Sequence, residues 1–116
     1  MANPNIVGLT SILGQTNGAQ VGTTAVQPIG NGAGSGQVYK VNNIVLCNTS
    51  DENREVTVRF HIGASIYYIT SALVVPGRST IEVISKPLYL NEDSSIQALA
   101  NTGTDVTILV SFEKIG

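Results

Sequence analysis

One cysteine, one histidine and no tryptophan are found among the 116 residues of the chain. A lone thiol, Cys47, cannot close an internal disulfide, which excludes a disulfide-stapled scaffold and points to assembly in a reducing compartment. Zinc sites draw on several Cys and His ligands, and this composition does not supply them. Charge is scarce too. Charged residues make up 12% of the chain, about half the roughly 25% of an average soluble domain. The formal net charge of -2 leaves no basic field to hold a nucleic-acid backbone. No apolar run approaches the roughly 18 residues of a membrane span. The start, Met1 to Asn5, has neither the basic region nor the apolar stretch of a secretory signal. Nucleic acid and membrane are therefore not expected partners.

β-Branched residues are abundant instead. Val, Ile and Thr number 13, 12 and 11, an enrichment that favours strands over helices. Glu55, Thr57, Arg59 and His61 alternate with Val56, Val58, Phe60 and Ile62, so period two puts the second set on a buried face. Val106, Ile108, Val110 and Phe112 form a second such face. Further strands are expected at Thr23–Gln27, ended by Pro28 and Gly30, at Gln37–Val41 and at Ile44–Cys47. Others are expected at Ile66–Ile69, Leu73–Val75, Ser79–Ile84 and Leu88–Leu90. Ser95–Ala100 continues the series, with a helix over Ser94–Ala100 as the alternative. Pro76-Gly77 has the signature of a type II turn. Turn signals every 8–12 residues predict an all-β fold: an antiparallel β-sandwich, jelly-roll or Greek-key-like, of seven to eight short strands.

Charge also divides the chain. Residues 1–39 carry no charged side chain, and residues 1–36 hold eight of the twelve glycines. Residues 1–36 are read as a Gly-rich arm or edge segment and residues 37–116 as the sandwich domain. Ile6, Val7, Leu9, Ile12 and Leu13 give the segment an apolar patch that a purely disordered tail would not need. It supplies either an edge strand to its own domain or an arm lying on a neighbour.

No constellation carries chemistry. His61, Ser79 and Asp105 can be drawn as a triad on paper, yet no nucleophile elbow supports it. Asp51-Glu52 and Glu92-Asp93 lack the alternating spacing of a calcium loop and read as solvated turn charges. The loop Asn31–Gly36 lacks the Lys-Ser/Thr of a phosphate cradle. No catalytic, metal or cofactor residue is assigned. Cys47, beside Ile44, Val45 and Leu46, reads as a small buried hydrophobe. Tyr67 and Tyr68 are consecutive, so in a strand one points inward and the other outward; either suits a protein interface or a sugar ring. Arg59 and Arg78 are further candidate contacts.

The run Gln37–Thr49 resembles the opening of small β-sandwich structural proteins of tailed bacteriophages, in particular those of marine bacteria. So do Val56-Thr57-Val58, Tyr67-Tyr68-Ile69, Val75-Pro76-Gly77-Arg78-Ser79 and Leu88–Ile96. The resemblance covers about residues 37–115, and Ile12–Thr16 with the glycine-rich spacer is similar to the N-terminal portions of such proteins. It lacks the long extension of full fibre proteins. What the resemblance implies is a non-enzymatic virion protein without cofactors, a capsid decoration or cement subunit assembled in host cytoplasm. It further implies self-association, a trimer being favoured, and contact with the major capsid protein. A tail, neck or fibre-associated module is the alternative. A carbohydrate-binding sandwich using Tyr67, Tyr68 or Tyr89 is a third reading.

Overall fold

The computed structural model describes residues 12–103 and 105–116, so Ile6, Val7 and Leu9 lie outside the described residues. Among the described residues nine strands form two sheets: β1 (Ile12–Val21), β2 (Val26–Asn31), β3 (Val38–Asn48), β4 (Arg54–Ile62), β5 (Ser65–Val75), β6 (Thr80–Glu82), β7 (Leu88–Leu90), β8 (Ser94–Ala100) and β9 (Val106–Ile115). One sheet has the order β1-β9-β3-β6, with β7 also on β3; the other has the order β2-β8-β4-β5. All pairings are antiparallel.

The pairs β1·β9, β2·β8, β3·β6/β7 and β4·β5 are successive stages of one long hairpin, closed at Gly63-Ala64. Rolling that hairpin adds the pairings β3·β9 and β4·β8, which complete the two sheets. This is the jelly-roll arrangement. β6 lies on Val45–Cys47 and β7 on Tyr39–Val41, so the two occupy a single strand position interrupted over residues 83–87. The backbone N–H of Val83 still donates to the Ile44 carbonyl, but Pro87 has no N–H to give. Such a break is tolerated at a sheet edge.

The core comes from period-two alternation on both inner faces. Val106, Ile108, Val110 and Phe112 of β9 are buried, as are Ile96, Ala98 and Ala100 of β8. They meet Ile44 and Leu46 of β3 and Val56 and Val58 of β4. Each fully buried Val, Ile, Leu or Phe side chain among these contributes about 1.5–3 kcal/mol relative to exposure. Tyr39 stacks on Phe112 with ring centroids 5.5 Å apart, and the Lys114 ammonium lies over the Tyr39 ring at 5.4 Å.

Several sequence expectations change at strand level. Ser94–Ala100 is strand, not helix, because its every second residue is buried. β2 starts at Val26 and runs through Pro28 and Gly30 rather than stopping there. Its register against β8 shifts between Val26 and Ile29, an irregularity on an outer strand that spares Pro28 from supplying a ladder donor. β3 passes through Asn42-Asn43 by a shift between Val41 and Asn43. β5 joins the two expected pieces through shifts opposite Val56–Arg59, with Ala72 at φ 51°. Cys47 is half-buried on the outer side of β3, between Thr80 and Thr107, rather than in the core. At Pro76-Gly77 the left-handed residue is Arg78 (φ 56°), so this is not the expected type II turn. Glycine is needed at 77 for a different reason: a Cβ there would stand 2.4 Å from the Asp51 carbonyl oxygen.

Candidate functional site

The paper triad is not assembled. Asp105 is held by Arg54, whose Nη2 lies 2.9 Å from Asp105 Oδ2, and Glu52 approaches the same guanidinium at 3.2 Å. Those hydrogen bonds, to Asp105 first and to Glu52 second, raise the Arg54 pKa above its ordinary value. His61 lies at the opposite end of β4 from Arg54, about 23 Å away at the usual strand rise. Ser79 Oγ donates to the Gly77 carbonyl. The acidic turns are also engaged locally: Asp51 pairs with Arg78, and Glu92 Oε2 accepts from the Gly36 N–H at 2.6 Å. Among the described residues no three His, Cys, Asp or Glu side chains converge as a metal-ligand group.

Two buried asparagines hold the loops at the ends of the sandwich. Asn48 Nδ2 donates to the Glu52 carbonyl at 2.7 Å and to the Val75 carbonyl at 3.0 Å. Its Oδ1 accepts from the Ser50 N–H at 3.0 Å and from Ser50 Oγ at 2.8 Å. Asn31 repeats the device: Nδ2 donates to the Gln37 and Leu90 carbonyls, and Oδ1 accepts from Ser35 Oγ. The glycine-rich loop 32–36 is therefore tied across its base, with Gly34 and Gly36 supplying positive φ. A serine two or four residues after each asparagine is the local sequence signal. The carbonyl partners Val75 and Leu90 are too distant in sequence to be read from it.

The candidate contact residues fall in separate places. Ile12 and Leu13 are exposed at the start of β1, opposite Ile115 and Lys114 of β9. Arg78 is exposed on the β5–β6 turn. Arg59 is half-buried on β4, between Gln97 of β8 and Tyr68 of β5. Tyr67 and Tyr68 do lie on opposite faces of β5, yet both are exposed. The expectation of one inward-buried ring fails because core cover runs out along the β4–β5 hairpin. On the inner-facing set, Val56 and Val58 are fully buried, Phe60 is half-buried and Ile62 is 52% exposed. Ile62, Ile66, Tyr67 and Tyr68 thus make an apolar tip at the closed end of the hairpin. Tyr89 is also exposed, on β7 of the other sheet.

On the outer face of the β2-β8-β4-β5 sheet, near this tip, lies an open depression of about 450 Å³. Its lining includes Gln27, His61, Asp93, Ser95 and Gln97, with Gly30, Gly32 and Gly63 leaving parts of the floor bare. Nothing in the sequence marks its polar lining as a group. They come from β2, β4, β8 and the turn before β8, and only the ladder registers bring them together.

No protein-family model matches the chain, and no curated protein matches it. Among solved structures it is similar to a pentameric capsid protein isolated from metagenomic phage sequences, with a TM-score of 0.45 and 12% identity. The match covers 84% of this chain and 59% of that one, so the chain spans less than two thirds of the matched protein. The likeness is distant and partial, and is to a phage capsid β-sandwich. That protein is pentameric; the trimer expected above is therefore withdrawn.

Proposed function

We propose that the chain is a non-enzymatic structural protein of a tailed-phage particle, a decoration subunit that coats or stabilises the head. The observation that carries the reading is the apolar tip of the β4–β5 hairpin. Ile62 and Tyr67 stand exposed on the face that carries Val56 and Val58 into the core, and Ile66 and Tyr68 stand exposed on the other face of the same strand pair. Large apolar side chains clustered at an exposed tip mark a protein contact, and tyrosine is enriched in such contacts. Jelly rolls serve as viral capsid domains, lectins and cupins. With one histidine, this chain lacks the side chains of a two-His, one-carboxylate iron centre. The particle reading joins the tip to the sequence resemblance. It makes the capsid shell the surface on which the tip docks.

The test is co-sedimentation of the purified chain with phage heads, for the native sequence and for the pair Ile62→Asp and Tyr67→Asp. Both positions are already exposed, so each variant keeps its urea midpoint. Losing one buried side chain at a contact removes at least about 1.5 kcal/mol, roughly a tenfold loss of binding. Unchanged binding by both variants overturns the docking role of the tip, and binding to tails alone overturns the head assignment.

A further inference from the structure

We infer that the β4–β5 hairpin pairs edge to edge with the same hairpin of a second copy, β5 on β5, about a two-fold axis through Tyr67. The apolar tip is two-sided. Tyr67 lies opposite Phe60 and shares the face of Ile62, whereas Ile66 and Tyr68 lie opposite His61 and Arg59 on the other face. A flat surface can cover only one of these faces. Docking on the shell through Ile62 and Tyr67 therefore leaves Ile66 and Tyr68, 46% and 63% exposed, without a role. A strand added along the β5 edge reaches both faces, because its side chains alternate just as those of β5 do.

The edges of the two sheets are not equally guarded. Unpaired ladder groups on an outer strand are a template for another chain, and short strands, proline, charge and irregular register are the usual protection. β2 has six residues, contains Pro28 and shifts register against β8. β6 and β7 have three residues each, with Lys86 and Pro87 in the gap between them. β1 carries Gly14 and Gly18, which weaken a strand. Asn17 Nδ2 also ties β1 to the Pro28 carbonyl of the other sheet's outer strand at 3.0 Å. β5 has eleven residues with no charge, no proline and no glycine, and among the described residues no strand but β4 pairs with it. Its register shifts and the positive φ of Ala72 come after Tyr68. Residues 65–68 are thus a straight, unguarded edge.

The order of side chains makes this edge complementary to itself. With the axis at Tyr67, Ile66 meets the partner's Tyr68 and Tyr68 meets the partner's Ile66 on one face. On the other face Tyr67 meets the partner's Tyr67. Aromatic–β-branched and aromatic–aromatic pairs are favourable cross-strand neighbours. No like charges come together either. Arg59 and the partner's Arg59 stand at least three strand spacings apart in the joined sheet, about 14 Å, beyond a screening length of about 8 Å. A charged segment of another protein would find no counter-charge along β5. Each copy has one such edge, so the contact is isologous and closes at two. The axis is normal to the joined sheet, so the Ile62 and Tyr67 faces of both copies point the same way and stay open to the shell.

One short strand on each side makes a contact of the small, weak class. Sedimentation equilibrium of the full chain from about 10 μM to about 1 mM should show a reversible monomer–dimer equilibrium. Tyr67→Lys and Tyr67→Glu each set like charges face to face at the axis and should weaken the dimer at least about tenfold. The position is exposed, so both variants keep the native urea midpoint at low concentration. An equimolar mixture of the two variants should dimerise again, because a contact centred on residue 67 brings their opposite charges together. No phage head is present in this experiment, so its failure leaves shell docking standing, and loss of head binding leaves the pairing standing. A chain that stays monomeric across the range overturns the proposal. So does an oligomer larger than two, a dimer that both variants leave intact, or a mixture that associates no better than its parts.

Discussion

Replacing Asn48 by alanine tests whether a single buried amide secures one end of the jelly roll. Asn48 is fully buried at the end of β3 and makes four hydrogen bonds. In Asn48→Ala the Val75 carbonyl loses its amide partner in a buried setting, while the Glu52 carbonyl and Ser50 N–H lose theirs where water has partial access. One buried orphan at about 1–3 kcal/mol and two half-exposed losses near 0.5 kcal/mol each give about 3 kcal/mol. For a domain of this size, a urea dependence of about 1.5 kcal/mol/M turns that into a midpoint roughly 2 M lower. Asn48→Asp keeps the shape and both hydrogen bonds that Oδ1 accepts from Ser50, but aims an oxygen at two carbonyls. It should cost at least as much at neutral pH. Its deficit relative to the native chain should shrink as pH is lowered through the carboxylate range, because protonation restores one donor. Equilibrium urea unfolding followed by tyrosine fluorescence measures both. A midpoint change below about 0.5 M for Asn48→Ala would refute the reasoning, because a typical stability of about 5–15 kcal/mol leaves a real clasp no room to hide.

Other substitutions separate close contact from conformation and buried from exposed pairing. Gly77→Ala forces a Cβ against the backbone of Asp51 and Glu52, and thermal unfolding should show a loss of about 2 kcal/mol or more. Gly14→Ala meets nothing within 4 Å on β1 and should leave stability unchanged or raise it by about 0.5 kcal/mol in the same assay. Arg78→Ala removes an exposed pairing with Asp51 and should change stability by less than about 0.5 kcal/mol, read from the urea midpoint. Asn31→Ala, which releases the Leu90 and Gln37 carbonyls, should cost about 2 kcal/mol by urea unfolding.

The inner face of β9 was legible because Val106, Ile108, Val110 and Phe112 are covered along their whole length, so alternation and burial coincide. On β4 the same alternation misleads after Val58. Nothing in Phe60 or Ile62 reveals that the opposite sheet no longer covers them, and only the structure exposes the apolar tip. Pro28 reads as a strand terminator by local chemistry, yet it falls within the outer strand β2, where a missing N–H costs little. Residues 1–36 read equally as edge segment or arm; within them, Ile12–Val21 pairs as β1 along β9 and Val26–Asn31 as β2 along β8. Hydrophobic pattern could not decide that, since most of β1 is exposed on both faces. The polar depression was invisible for a different reason. Gln27, His61 and Gln97 are remote in sequence and meet only through two registers, β2 on β8 and β4 on β8.

The central claim is that this jelly roll is a surface subunit of a phage head, docked through the tip of its β4–β5 hairpin. An imaging reconstruction of intact particles, with the chain placed in the map, tests it most directly. The account predicts many symmetry-related copies on the outside of the head, with Ile62 and Tyr67 facing the shell. Density confined to the tail, or head-bound copies with that hairpin pointing into solvent, would contradict it.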